Sequence, residues 1–351
     1  MRKEGKETVS VIVPIFNDEE HIRSCIDSIV GQTYRELQII LVDDASKDAS
    51  LEICKEYAQA DHRVAVLHNE QNRGLSGSRE IGYRKAIGGW ICFVDHDDRM
   101  APYAIERLLA AVDDHTDIVT GKYKDVLDRY FDRHKWDADG GAAAILLEHD
   151  DALDALGNFI GDGVPPCLWG KIYRRDLFEK VDFLKHKDTF PLIYFEDTLL
   201  TPALIKAGRG IKIIDRCMYI HRIDYNSVAM SPGALAFHLQ TARAADIVMP
   251  LLNEPYARNT YAKYMQGFLL IISKNWHMIR RYHHKDAKLM QEMEALFQKY
   301  YALYEKLDER TLSVSDICIR IFRRNKIFFS VIICNLWFQG IARMRHRLLS
   351  K

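Results

Sequence analysis

The sequence predicts an α/β fold in which a largely parallel sheet is built first and a helical region follows. Three observations carry that prediction. Four short apolar runs, 9–14, 37–42, 64–67 and 90–94, each lead into polar or acidic residues. The stretches between them repeat apolar residues at helical spacing, and strands separated by helices imply parallel pairing through right-handed crossovers. Beyond about residue 232 this alternation gives way to long amphipathic stretches.

Each element is read from its own residues. Val9-Ser10-Val11-Ile12-Val13-Pro14 is a β-branched run closed by proline, and Phe16-Asn17-Asp18-Glu19-Glu20 supplies helix-start residues with early negative charge. Ile22, Cys25, Ile26 and Ile29 then mark one helix face. Leu37 to Val42 is a second buried strand running into Asp43 and Asp44. Ser46, Lys47 and Asp48 open the next helix, whose apolar face is Leu51, Ile53, Cys54 and Tyr57. Val64 to Leu67 is a third strand, followed by the polar loop His68 to Arg73 and by Gly74-Leu75-Ser76-Gly77.

The fourth run, Trp90-Ile91-Cys92-Phe93-Val94, drives into Asp95-His96-Asp97-Asp98, three carboxylates within four residues. The C-terminal edge of such strands is where open α/β sheets hold ligands. In an extended segment, alternation points Asp95 and Asp97 to one side and Asp98 elsewhere. Like charges this close call for a cation. Carboxylate oxygens suit Mg²⁺ or Mn²⁺, held by one or two protein carboxylates plus substrate phosphates. The competing reading is a solvated acidic turn capping a helix that begins near Pro102.

Four blocks in order, 11–17, Val42-Asp43-Asp44-Ala45-Ser46-Lys47-Asp48, Asn72-Arg73-Gly74-Leu75-Ser76 and 93–98, resemble a family 2 glycosyltransferase of the bacterial cell-surface polysaccharide type. The resemblance implies the inverting GT-A fold, a Rossmann-like mixed sheet flanked by helices. Its catalytic domain would span 1–231, with a donor-binding half to about 120 and an acceptor half from 121. A helical region would follow at 232–312 and a basic amphipathic segment at 313–351. The implied donor is a nucleotide sugar, by family frequency a UDP-sugar. Asp44 then fits the acid that accepts the nucleobase N–H, and Pro14 the strand end where backbone approaches the base. Phe16 either covers a face of the base or packs in the core. Asn72 falls in the nucleotide loop, and Arg79 matches an arginine that favours an anionic donor, although Glu80 stands where relatives often have asparagine. In the DXD pattern, Asp97 is the expected direct metal ligand, with Asp95 reaching metal through water or binding ribose. His96 is either a phosphate contact or a surface histidine.

The same resemblance implies the acceptor side. Phe195-Glu196-Asp197-Thr198-Leu199-Leu200 matches an acidic pair at a helix start, with Asp197 as general base and Glu196 in support. Trp169, in the block Cys167 to Phe178, either stacks on an acceptor sugar or is a core tryptophan. Lys171, Arg174 and Arg175 are expected on an exposed basic edge. Tyr219 to Ser227 resembles a flexible loop closing over the diphosphate, with His221, Arg222 and Ser227 as phosphate contacts.

Composition bounds the rest. The chain has 351 residues, 48% of them hydrophobic, with 49 basic and 49 acidic side chains, which argues against nucleic acid as a partner. Seven scattered cysteines read as reduced core thiols. With no signal peptide before the first strand, a cytoplasmic donor site is expected. Residues 320–351 place arginines and lysines around the twelve-residue apolar run Ile327 to Phe338, too short to span a bilayer. This segment either lies on the anionic inner face of the cell membrane, near a glycan or lipid-linked acceptor, or packs as a helix or in a homodimer. Two other functions stay open: a sugar-nucleotide-forming nucleotidyltransferase, and a non-catalytic scaffold with the same fold.

Overall fold

The computed structural model describes residues 7–136, 144–148, 167–181, 196–223 and 287–306, with isolated helical positions between 265 and 280 and at 319 and 323. The chain separates into two compact units, 1–225 and 226–351. In the first unit the strands are β1 (Val9–Ile15), β2 (Leu37–Asp43), β3 (Val64–His68), β4 (Trp90–Phe93), β5 (Arg99–Met100), β6 (Ile118–Leu127), β7 (Ala144–Glu148), β8 (Lys171–Arg174) and β9 (Gly210–Ile223). Its helices are α1 (Ile22–Val30), α2 (Ser50–Ala60), α3 (Gly74–Lys85), α4 (Ala104–Ala110), α5 (Asp128–Phe131) and α6 (Glu196–Ala207).

These strands join in one sheet of order β3-β2-β1-β4-β8-β6-β9-β5, with β7 also on β9. The first four pair in parallel, as the helical connections require, and β8 enters antiparallel between β4 and β6. β1 is buried along its whole length, as expected of a strand covered on both faces. Odd-numbered residues of β1 and β2 pack with Cys25, Ile26 and Ile29 of α1. On the other face α3 lies so close that a Cβ on Gly82 would sit 2.4 Å from Ile12 and 3.2 Å from Val42. Only glycine admits that approach, and it seats the start of α3 at the sheet edge. Gln32, fully buried, donates to the carbonyls of Ser28 and Ala101 and accepts the Ile105 N–H at 3.1 Å, so α1 fixes the entry into α4.

The second half of the sheet is held by one carboxylate. Asp117, before β6, accepts Arg174 Nε at 3.0 Å, after β8 has begun its exit, and both the backbone N–H and the guanidinium of Arg209 at the entry to β9. In the second unit, α7 (Ala287–Tyr304) buries Met293, Phe297, Tyr300, Tyr301 and Tyr304. Of the apolar residues that mark one helix face in the sequence beyond residue 232, Tyr261, Tyr264, Met265, Phe268, Leu269 and Ile272, three, Met265, Leu269 and Ile272, are fully buried; Tyr261, Tyr264 and Phe268 lie outside the described residues. Among the described residues no helix is long and apolar enough to cross a membrane.

Asp117 is buried, which raises its pKa, but the hydrogen bonds and charges of Arg209 and Arg174 outweigh burial and hold it below the ordinary 3.8. A depressed folded-state pKa contributes stability above pH ~4 that is lost as pH falls. Asp117→Ala should cost roughly 2 kcal/mol at neutral pH, less than a fully buried pair because Arg209 is half-exposed. Urea unfolding at pH 7 and pH 3 checks this, the gap between variant and wild type narrowing at pH 3.

Candidate functional site: an acidic crevice at the C-terminal edge of the sheet

The loops after β1, β2, β3 and β4 meet in one crevice. Two non-glycine residues there have left-handed backbone, Asn17 with φ of 50° after β1 and Ala45 with φ of 64° after β2. Such conformations are uncommon and concentrate at functional sites. The loops hold each other in place. Asn17 N–H donates to Ser46 Oγ at 3.0 Å, Lys47 N–H to Asn17 Oδ1 at 2.7 Å, and Asp18 N–H to Ser50 Oγ at 2.9 Å.

Asp44 is almost wholly buried, and its carboxylate organises the start of α3. It accepts Asn69 Nδ2, Arg73 N–H and Gly74 N–H, each at 2.8 Å. Three of its roughly four acceptor positions are therefore used, leaving room for one further donor. Asn72 accepts the same Gly74 N–H at 2.9 Å, a local turn. Pro14 is buried opposite Val42, and Phe16 is 44% exposed rather than core. Asp43, by contrast, is fully buried against His68 at 2.8 Å and keeps one oxygen, Oδ1, without a hydrogen bond.

Arg79 is not on an exposed helix face. It is 1% exposed, lies 5.8 Å over the Phe93 ring and donates to Asp95 Oδ1 at 2.5 Å, joining the two nucleotide-side candidates. Beyond Asp95 the chain is a turn, closed by Asp98 N–H on Asp95 O at 3.1 Å, so strand alternation does not orient the acids. Asp98 does turn away, as expected: fully buried, it accepts Tyr219 Oη at 2.7 Å and Arg222 N–H at 2.7 Å. Tyr219 Oη in turn accepts Asp95 N–H at 3.1 Å. The half-buried Asp97 carboxylate accepts no hydrogen bond among the described residues. Burial raises its pKa, and the charges of Asp95 and Asp18 add to that against the pull of His96.

His96 is held by a residue that sequence reasoning took for a helix-start acid. Asp18 bridges His96 Nδ1 at 2.7 Å and His21 Nδ1 at 2.6 Å with its two oxygens. Burial alone would lower the His96 pKa, but this bond and the neighbouring carboxylates push it up to about 9. His96 is thus an ion-pair partner of Asp18. No group of three or more metal-ligating side chains forms among the described residues. Asp97, short of a partner, with Asp95 beside it, matches a divalent cation that takes its remaining oxygens from substrate phosphates.

The acceptor-side candidates collect around β8 and β9. Asp197 lies in the first turn of α6; the side chain of Glu196 is outside the described residues. Cys167, buried, has its pKa pushed up to about 12 by burial, with Lys171 opposing and the charges of Asp197 and Asp95 adding. One thiol therefore feels the charges of both Asp95 and Asp197. Lys171, expected at an exposed basic edge, is fully buried with Nζ on Cys167 O at 2.5 Å, and burial lowers its pKa. Arg174 is half-buried on Asp117, so that edge does not exist as expected. Trp169 stacks on Tyr219 at 4.6 Å and on His221 at 5.4 Å, with Tyr123 edge-on at 5.1 Å. Gly170, at φ of 69°, makes the bend that sets this indole against Tyr219.

Tyr219 to Ile223 belong to β9 and not to a flexible loop. Arg222 is 5% exposed; its Nε donates to Asp97 O at 2.8 Å, its guanidinium pairs with Asp128 and lies 3.7 Å over the Phe131 ring. It braces the acid turn from behind. Ser227 lies outside the described residues. Five cysteines, Cys25, Cys54, Cys92, Cys167 and Cys217, are free thiols, as expected.

Tyr219→Phe should leave Asp98 Oδ2 and the Asp95 N–H unpaired and cost about 1–3 kcal/mol. Chemical denaturation against Tyr123→Phe, whose ring is partly exposed, checks it: the Tyr123 variant should change stability far less.

Residues 10–181 match the family model for glycosyl transferase family 2. The uncharacterized glycosyltransferase EpsJ of Bacillus subtilis is 34% identical over 243 residues, covering 68% of this chain and 68% of EpsJ. The chain spans 68%, 32% and 62% of the length of three curated relatives. Among solved structures, S. aureus TarS 1–349 in complex with UDP-GlcNAc superposes with a TM-score of 0.51 at 20% identity, over 84% of this chain and 92% of that one. The mannosyltransferase PcManGT from Pyrobaculum calidifontis, in complex with GDP-Man and Mn²⁺, gives 0.50 at 15% identity, over 92% and 88%. EpsJ, matched at 34% identity over two-thirds of both lengths, assigns the chain to glycosyl transferase family 2, and the likeness to these two structures gives it the GT-A fold.

Proposed function

We propose that the protein transfers a sugar, with inversion, from a nucleotide-diphosphate donor, a UDP-sugar by preference, to a hydroxyl of a glycan or lipid-linked acceptor in bacterial polysaccharide synthesis. The observation that carries this is the acid turn, where the unbonded Asp97 carboxylate stands beside Asp95, itself tied to Arg79. Asp97, with Asp95, would hold Mn²⁺ or Mg²⁺, and PcManGT, of the same fold, is seen with GDP-Man and Mn²⁺. When bound, the metal neutralises charge on the diphosphate leaving group.

This chain's own residues do the rest. Asp44, with Pro14, Phe16 and Asn72 around it, receives the nucleoside and keeps one acceptor position for a base N–H. Arg79 fixes Asp95 for the ribose or a metal-bound water. His96 and Arg222 act by holding the turn. Asp197 takes the acceptor proton as the hydroxyl oxygen attacks the anomeric carbon from the face opposite the diphosphate, with Glu196 in support, and Trp169 forms part of the acceptor wall. Ser227 remains a proposed diphosphate contact. The catalytic region would end near residue 231. The basic segment 320–351 would hold the enzyme on the inner face of the membrane; deleting it should release the protein from anionic vesicles, and unchanged vesicle binding would refute the anchor.

Calorimetry with UDP-, GDP-, CDP- and TDP-sugars, with and without Mn²⁺, tests the donor reading. Metal-dependent binding of one nucleotide class is expected; binding of none would favour a scaffold, and formation of a sugar nucleotide from sugar phosphate a nucleotidyltransferase. Asp97→Ala should abolish the metal-dependent part of binding. Asp197→Asn should keep donor affinity and lower kcat by about 10²-fold or more, the scale of a lost general base. Near-normal turnover would show that another group takes the proton.

A further inference from the structure

On the α1 side of the acid turn an open cleft of about 510 Å³ runs between α1, β5 and the residues after α5. That size suits a small ligand. Its inner wall is cationic. Arg99 and Arg222 lie over the same Phe131 ring, their guanidinium carbons 4.7 and 3.7 Å from its centroid. Arg222 is buried and has a carboxylate, Asp128. Arg99 pairs with no carboxylate among the described residues: it donates to the Phe131 carbonyl, and its Nε–H is buried there without a hydrogen bond. A buried guanidinium donor without an acceptor is costly, and each such group calls for an explanation.

Three acids also line the cleft, but at its exposed rim. Glu20, Asp27 and Asp132 are solvated, Asp27 accepts the Tyr57 hydroxyl at 2.6 Å, and Asp132 acts on Arg99 only through its charge. Arg23, also exposed, pairs with Glu56. The deficit of acceptors is therefore at the inner wall, around Arg99. Trp136, half-buried, packed in part on the core and braced edge-on by His134 at 5.2 Å, lines the same cleft. The bridge His21–Asp18–His96 lies between this cleft and the loops of the nucleotide crevice.

We propose that this cleft is a second ligand site, for a sugar bearing a phosphate group, with Arg99 receiving the phosphate and Trp136 the sugar ring. A phosphate supplies several acceptor oxygens in the geometry a guanidinium fork matches. The site does not depend on the transfer reaction proposed above, since it shares no donor-binding carboxylate with it.

Calorimetric titration of the full chain with glucose 6-phosphate, inorganic phosphate and glucose tests it. Glucose 6-phosphate should bind more tightly than either fragment, and saturation with UDP and Mn²⁺ should leave its affinity unchanged. Arg99→Lys keeps the charge but removes the Nε–H and the fork, and should weaken glucose 6-phosphate on the order of tenfold. Trp136→Ala should bring it close to inorganic phosphate; should that variant fail to fold, Trp136→Phe, which keeps a smaller ring, should give an intermediate affinity. Absence of glucose 6-phosphate binding, or an affinity indifferent to Arg99→Lys, would overturn the proposal. Displacement by UDP would do so as well, by assigning the sugar phosphate to the nucleotide crevice.

Discussion

Asp98 is the constraint on which the crevice rests. A carboxylate with no solvent exposure must be matched by donors, and it is matched by the Tyr219 hydroxyl and the Arg222 N–H, both from β9. Burial and the neighbouring Asp97 and Asp95 charges push its pKa well up, so its place is bought by these bonds. In return the turn that carries Asp95 and Asp97 is fixed to the strand most distant in sequence. Tyr219 serves twice, closing Asp98 and accepting the Asp95 N–H, while its ring face supports Trp169. The acids of the turn and the Trp169 indole thus share one bracket.

Strain is stored around that bracket in small amounts. Ala45 and Asn17 have left-handed backbone, and each loop is held by side-chain acceptors on the other. Asp44 satisfies two backbone N–H groups at the start of α3, one end of a helix whose Gly82 packs directly on β1 and β2. A loop tied at so many points is preorganised, which is what an electrostatic site needs if its dipoles are not to reorganise during reaction.

Much of this was legible in the sequence, and the limits have physical causes. The four parallel strands and α1 and α2 announce themselves because strands buried on both faces read as unbroken apolar runs. β6 and β9 do not: residues 122–125 of β6 are exposed and polar, and β9 mixes Lys212, Asp215 and Arg216 into its run. The acids stand out in the sequence, since three carboxylates in four residues call for a cation or for a solvated turn. Their partners were not. Asp18 looks like an ordinary helix-start residue, and only the fold brings it 2.7 Å from His96, 78 residues away. Lys171 was misread for a related reason: a lysine in a basic stretch signals solvent, and nothing local shows that Trp169, Cys167 and β6 will close over it.

Arg222 shows how one cation can serve two surfaces. A resemblance-based reading makes such an arginine a phosphate contact on a moving loop, yet in β9 its Nε is spent on the Asp97 carbonyl and its plane on Phe131. Moving it toward a diphosphate would break its ion pair with the half-exposed Asp128, bury its charge without a partner and unbrace the acid turn at the moment that turn is needed. Its fixed charge is better used where it stands. There it stabilises the carbonyl side of Asp97 and, through the shared Phe131 ring, sets the field around Arg99. Because the same guanidinium touches the acid turn and the neighbouring cleft, any ligand that drew Arg222 toward Arg99 would loosen its hold on Asp97. Tight packing on Phe131 and pairing with Asp128 resist that movement, so the acid turn stays in place whatever occupies the neighbouring cleft.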